Sequence, residues 1–204
     1  MRLLITGAGS DLAQYVNSKI SQDFDIELAT KDKLDVTSIV SVREYFNAKK
    51  FDIVLNCAGT LYESNVVDSE PEKWINDISV NLIGAYLVAR EALIRNSNCI
   101  IINISSTAAF HSYSNWTSYC AAKSGVLKLS SGLFKDGYRV ITLCPGAIET
   151  KIRNYTKVIN PNIMTLEEGC KPIIDSLYGG YKFGDVVFYR KNELIVNPDC
   201  EWLS

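Results

Sequence analysis

Long hydrophobic runs are missing from this sequence: no apolar stretch approaches the roughly 20 residues that a membrane-spanning helix needs. The chain also opens on the strand-like RLLIT rather than on a signal peptide, so an unexported, cytoplasmic protein is expected, with no membrane partner. A large excess of one charge is missing too. Lysine and arginine number 21 against 23 acidic residues, and a net charge of -2 gives no electrostatic case for gripping a nucleic-acid backbone. The six cysteines (Cys57, Cys99, Cys120, Cys144, Cys170 and Cys200) never fall at C-x-x-C spacing. That argues against a zinc site and against a secreted disulfide framework, so no metal is expected. Internal repeats and compositionally biased linkers are absent as well.

What remains is a chain of 204 residues, 47% hydrophobic, long enough for a full core and short of the length at which cores split, so residues 1–204 should form one domain. Short β-branched apolar runs alternate with longer amphipathic stretches, the pattern of an α/β fold with a parallel sheet covered on both faces. Strands are expected at 2–6, 25–30, 52–56, 99–104, 139–143 and 184–189, and helices at 11–22, 38–49, 71–96, 117–135 and 165–178. Only KDKLDVT separates the second strand from the helix at Ser38. That leaves room for a stub of strand at 33–35 and predicts an abbreviated sheet edge. At the other end GDVVFYR, KN and ELIVNPD read as a last core strand with a hairpin return.

Two local patterns carry chemistry. LLITGAGSDLAQYV runs from strand through a glycine turn into a helix, the geometry in which backbone N–H groups receive a dinucleotide pyrophosphate. Gly7 would make the tight turn, Gly9 would admit a close backbone approach, and Ala13 stands where helix and strand must pack; Ser10 or Asp11 would cap the helix. Further along, NISS ends a strand at Ser106, and YCAAK starts a helix with Tyr119 and Lys123 at i and i+4, on one face. An ammonium beside a phenol favours the phenolate, which is expected to lower the Tyr119 pKa toward a useful acid/base range. Ser106, at the carboxyl end of a strand, is placed to hydrogen-bond a substrate carbonyl.

Taken in order, TGAGSDLA, LDVT, NCAG, SVNLIG, NISS, YCAAK and PGAIET make the chain similar to the short-chain dehydrogenases/reductases over nearly its whole length. The resemblance implies a single Rossmann-type doubly wound domain binding NADP or NAD. It implies Tyr119 as general acid/base, Lys123 lowering its pKa and holding the nicotinamide ribose, Ser106 orienting substrate, and Asn81 supporting a water-linked proton path. By the same resemblance Gly7, Gly9, Ser10, Asp11 and Leu12 border the pyrophosphate, and Asp35 and Val36 flank the adenine, although Asp35 reads equally as a helix cap. Asn56, Ala58 and Gly59 pass beneath the adenosine ribose, and Pro145, Gly146, Ile148 and Thr150 lie along the nicotinamide.

The sequence departs from the family's three-glycine loop at Asp11 and Ala13. A carboxylate near a pyrophosphate should weaken binding unless it turns outward as a cap, which is the orientation expected here. Cofactor choice falls on Thr30 and Lys31, which suit the 2′-phosphate of NADP, with Lys33 a second candidate and Asp32 between them. A substrate lid is expected at about 150–165, where Lys151, Arg153 and Lys157 with Tyr155 could meet an anion; His111 and Trp116 border the pocket by position. The expected activity is an NADP(H)-linked carbonyl reductase or alcohol dehydrogenase for a ketone, aldehyde or sugar-derived carbonyl. A nucleotide-sugar epimerase or dehydratase and a non-catalytic dinucleotide sensor are the alternatives. Only about a quarter of the chain follows PGAIET, which speaks against the epimerase and its usual C-terminal substrate domain. The family also implies a homodimer or homotetramer, through helices whose outer faces would carry Val126 and Leu129.

Overall fold

The computed structural model describes residues 1–156 and 160–199, with Tyr155 described by its backbone. Strand β1 (Arg2–Thr6) is the hub of a seven-stranded sheet ordered β2-β1-β3-β4-β5-β6-β7. Its partners are β2 (Asp25–Ala29), β3 (Ile53–Asn56), β4 (Ile100–Ile104), β5 (Arg139–Pro145), β6 (Val186–Arg190) and β7 (Glu193–Val196). The first six run parallel and β7 returns antiparallel through Lys191 and Asn192, the expected hairpin. Asn192 takes the left-handed conformation there, φ 62°.

Doubly buried strands explain the apolar runs. Leu3 and Ile5 point to one face, where α1 (Asp11–Ile20) and α6 (Leu166–Leu177) bring Ala13, Val16, Ile20, Cys170, Ile173 and Leu177. Leu4, Val54 and Ile101 point to the other, against Val42 and Phe46 of α2 (Ile39–Phe46) and Val88 and Ala92 of α4 (Gly84–Arg95). After β2 the chain crosses back over β1 to form β3, so the strand order reverses between β1 and β3, where ligands of open α/β sheets sit. Thr6 Oγ1 secures this point by accepting the backbone N–H groups of Cys57 (3.1 Å) and Ala58 (3.2 Å).

Four expectations are corrected. No strand forms at 33–35: residues 31–33 make a turn in which Lys33 and Leu34 donate to the Thr30 carbonyl, and the sheet ends at β2. The helix expected over 71–96 is divided into α3 (Pro71–Ile78), a π-helical turn at Ser79–Ile83, and α4. Its cause is local, because Asn81 Nδ2 donates to the Asp77 carbonyl (2.9 Å) while the Gly84 N–H reaches the Ser79 carbonyl five residues back. The last parallel strand starts at Val186 rather than at 184, because Gly184 adopts φ 95° and Asp185 closes a turn onto Lys182. Val126 is buried in the core and so lies on no outer face of α5 (Thr117–Lys135), whereas Leu129 is half-buried.

Candidate active site

A cleft of about 1250 Å³ opens at the carboxyl ends of the parallel strands, bordered at one end by the glycine turn after β1 and at the other by α5 and the segment after β5. At the turn, Gly7 has φ 64°, and a Cβ there would lie 2.6 Å from the Ala58 Cα, so only glycine fits between the ends of β1 and β3. A Cβ on Gly9 would meet nothing within 4 Å, leaving the backbone open to the cleft. Ser10 is the N-cap of α1, its Oγ accepting the Ala13 N–H at 3.2 Å. Asp11 is not the cap. It occupies the first turn of α1, and its carboxylate reaches across the cleft to accept the Lys151 backbone N–H (2.6 Å), with Lys151 Nζ 3.4 Å away.

Leu12, Thr30, Lys31, Asp35 and Val36 line the same half of the cleft, and Asp32 and Lys33 are exposed outside it. Thr30 directs its hydroxyl to the Asp32 carboxylate, which that bond holds below its ordinary pKa. Asp35 does not cap α2; Ser38 does, and Asp35 accepts the Thr37 N–H (3.0 Å) and hydroxyl (2.6 Å) in a local turn. Val36 is pressed by Gly84, whose Cβ would stand 2.7 Å from Val36 Cγ2. Ala58 and Gly59 line the floor. A side chain on Gly59 would press on Asn81 Oδ1 at 3.1 Å and approach Lys123 Nζ at 3.8 Å, so this glycine leaves a shallow cradle in front of both groups. Asn56 turns its side chain inside the protein, donating from Nδ2 to Asn103 Oδ1 (2.9 Å), at the end of β3 just before the lining residues Cys57, Ala58 and Gly59.

The other half of the cleft gathers Ser106, Tyr119, Lys123 and Asn81 with Pro145, Gly146, Ile148 and Thr150. Ser106 stands just beyond β4 as the N-cap of a short 3₁₀ turn and accepts the Ala108 N–H (3.1 Å). Its hydroxyl also bonds the Tyr119 side chain, which favours the phenolate. Burial outweighs this bond, and with the negative charge of Asp77 it pushes the Tyr119 phenol up to about 12. The net shift is therefore upward, opposite to the lowering expected. Lys123 Nζ lies 5.5 Å from the centre of the Tyr119 ring and donates to the Ile104 carbonyl at 2.9 Å, while burial brings its own pKa down to about 8. The ammonium is thus a weakened charge held at the end of β4.

Three polar residues that the sequence patterns did not single out, Asp77, Thr60 and Ser118, support this wall. Asp77 is 1% exposed, and its carboxylate accepts from Thr60 Oγ1 (2.7 Å), Asn81 Nδ2 (3.0 Å) and Ser118 Oγ (2.7 Å). The Asp77–Asn81 spacing of four residues was the available signal, hidden inside a stretch read as one continuous helix. Trp116 packs edge-on to Tyr119 at 5.8 Å and donates from Nε1 to Glu63 (3.0 Å). His111 is exposed and stays out of the cleft, packing edge-on against Phe188. Lys151 and Arg153 of the expected lid line the cleft, as do Arg190 to Glu193 of the hairpin; Lys157 and the Tyr155 side chain lie outside the described residues.

A glycine turn facing a serine–tyrosine–lysine wall invites comparison with known proteins, and the family model described as short chain dehydrogenase matches residues 2–160. The chain belongs to the short-chain dehydrogenase family. It is accordingly an oxidoreductase of the NAD(P)-dependent kind. Among its relatives is an uncharacterized oxidoreductase of Staphylococcus aureus, 27% identical over 172 residues that cover 79% of this chain and 72% of the relative. Two solved structures share the fold. A short chain dehydrogenase from Burkholderia cenocepacia in complex with NADP is 22% identical, with a TM-score of 0.77 over 89% of this chain and 88% of that one. A 3-ketoacyl-(acyl-carrier-protein) reductase from Brucella melitensis complexed with NADH is 21% identical, with a TM-score of 0.74 over 85% of this chain and 88% of that one.

Proposed function

We propose that this short-chain dehydrogenase interconverts a small ketone, aldehyde or sugar-derived carbonyl with its alcohol, using NADP(H) in preference to NAD(H), with Tyr119 as general acid/base. The observation that carries this reading is the convergence of Ser106, Tyr119 and Lys123 on one wall of the cleft whose far end is the open glycine turn. The glycines fit a dinucleotide: Gly9 leaves the backbone uncovered, and Gly59 leaves a cradle before Asn81 and Lys123.

When bound in this cleft the nicotinamide supplies or accepts the hydride. The chain's own work is positional and protonic. Gly7, Gly9, Ser10 and Leu12 would receive the pyrophosphate with Asp11 beside it, and Val36, Asp35, Ala58 and Gly59 the adenosine half. Pro145, Gly146, Ile148 and Thr150 would lie along the nicotinamide. Ser106 donates to the carbonyl oxygen of the substrate, Tyr119 gives that oxygen a proton in reduction, and Lys123 favours the phenolate left behind. Asn81 presents its Oδ1 to the cleft beside Lys123, where a water could link the two. NADP is preferred because Lys31 lines the cleft at the end of β2 while Asp32, the acidic residue that would serve a free ribose hydroxyl, is turned out and bonded to Thr30.

A homodimer or homotetramer is part of this proposal, as is a cytoplasmic location. The test is to titrate purified protein with NADPH and NADH separately, following tryptophan fluorescence, and then to compare the parent with Tyr119→Phe on a carbonyl panel. Tight NADPH binding with loss of turnover in the variant is expected. Failure to bind either nucleotide would overturn the enzyme reading, and binding without turnover of any substrate would favour a dinucleotide sensor.

A further inference from the structure

The Asn81 amide carries two hydrogens on Nδ2, and four acceptors surround that nitrogen: the Asp77 carbonyl (2.9 Å), Asp77 Oδ1 (3.0 Å), the Thr60 carbonyl (3.0 Å) and Thr60 Oγ1 (3.4 Å). This one-sided setting determines which way the amide faces. Nδ2 must point inward and Oδ1 outward, where its protein partner is a long contact from the Thr60 N–H (3.4 Å) and its neighbour across the Gly59 cradle is Lys123 Nζ. The same carboxylate holds α5 from the opposite side. Asp77 Oδ2 accepts from Ser118, in the first turn of that helix and adjacent to Tyr119.

Among the described residues, the groups bonded to the carboxylate are neutral donors: the hydroxyls of Thr60 and Ser118, the Asn81 amide and the Tyr62 backbone N–H. Its charge is felt by Lys123, which it helps keep protonated, and by Tyr119, whose phenolate it opposes. Among the described residues, the other titratable and charged groups around this core are Cys120 near Tyr119, Cys57 and Cys144 near Lys123, and Tyr62, Glu72 and Lys73 around a shallow hollow beside Asp77. A carboxylate buried in an otherwise neutral hydrogen-bond shell is costly, so its place directly behind Asn81 and Ser118 calls for a task that an apolar residue could not perform.

We propose that Asp77 is a positioning residue of the active site: its carboxylate directs the Asn81 acceptor into the cleft, pins the first turn of α5 beneath Tyr119, and sets a negative charge against the Lys123 ammonium. The inference rests on the acid/base reading of Tyr119 and Lys123 given above. Asp77→Asn keeps the shape of the side chain and one acceptor while removing the charge. It should lower kcat about tenfold, within the range seen for residues that orient a catalytic shell, with KM and the NADPH dissociation constant changed less than about twofold. In the cofactor-free protein the Lys123 ammonium, followed by its ¹³Cε shift in a pH titration and assigned by the loss of that signal in Lys123→Met, should titrate about one unit lower in the variant.

A packing role alone would move the melting temperature and leave the Lys123 titration in place, and that result would overturn the proposal. Should Asp77→Asn fail to fold, Ser118→Ala removes one donor and leaves the charge. It should lower kcat about threefold without moving Lys123, and parent-like kcat would overturn the proposal. Tyr119→Phe separates the two levels of argument. If that variant keeps full turnover the acid/base reading itself fails, whereas an inactive Tyr119→Phe beside an unaltered Asp77→Asn defeats this inference alone.

Discussion

A phenol that is buried and faces a carboxylate holds its proton strongly, and a buried ammonium gives its proton up easily. Tyr119 at about 12 and Lys123 at about 8 are displaced in these opposite senses. The consequence is directional. Carbonyl reduction needs the neutral phenol, which persists far above neutrality, so its kcat should be level up to about pH 8 and decline above it as Lys123 loses its charge. Alcohol oxidation needs the phenolate, so its rate should rise with pH up to about 8 and rise less steeply above it, where the Lys123 charge that favours the phenolate is lost. Initial rates in both directions between pH 6 and 10 check this, and reduction that stays level to pH 10 would show that Lys123 does not control the step. Tyr119→Phe should cost about 10²- to 10⁴-fold in kcat in either direction while leaving NADPH binding intact. Gly7→Ala should destabilise the fold by roughly 2 kcal/mol or more, seen as a lowered melting temperature, since alanine is strained at φ 64° and its methyl would meet Ala58. The meeting of Ser106, Tyr119 and Lys123 on one cleft was legible because it rests on strand order and i, i+4 spacing. Asp77 was not legible, because nothing local distinguishes a buried carboxylate in a helix from a solvated one; its burial is made by Thr60 and Ser118, 17 and 41 positions away.

At the scale of elements, strands and helices were readable wherever apolar period and caps agreed, as in β1 and in α5, whose bounds coincide with those expected. The π turn at Ser79–Ile83 was not, since it arises from one amide bonding one carbonyl within a segment of uninterrupted helical pattern. The link between α1 and the segment after β5 was also invisible, because Asp11 and Lys151 are 140 residues apart. This link has a functional cost and a use. Asp11 places negative charge in the first turn of α1, where a pyrophosphate would be received, yet it ties down residues that border the opposite side of the cleft. Asp11→Gly should therefore strengthen NADPH binding about fivefold, the equivalent of about 1 kcal/mol for a solvated charge pair, while exposing the segment after Thr150 to faster proteolysis. Fluorescence titration and limited trypsin digestion measure the two effects. Weaker binding in the variant would mean that the tether matters more than the repulsion.

For the whole molecule, one sheet with two apolar faces is covered by helices on both sides, yet large apolar side chains remain outside. Ile75, Ile83, Tyr86 and Ile94 are exposed along α3, the π turn and α4, and Leu194, Ile195 and Val196 are exposed on β7, the edge strand of the sheet. Charge does not protect that edge: among the β7 residues only Glu193 is ionisable, and it is paired with Arg190. Scattered apolar groups need no explanation on a monomer, but two groups of them, one along α3 and α4 and one on an edge strand without a further strand beside it among the described residues, are the kind of surface that self-association covers. The protein should therefore run as a dimer or tetramer in light scattering at micromolar concentration. Ile83→Glu combined with Tyr86→Glu should reduce the assembly by one step if the helical surface is used, with NADPH binding retained because neither residue lines the cleft. A parent protein that stays monomeric at high concentration would end the oligomer proposal and leave the helical surface and the strand edge as bare surface.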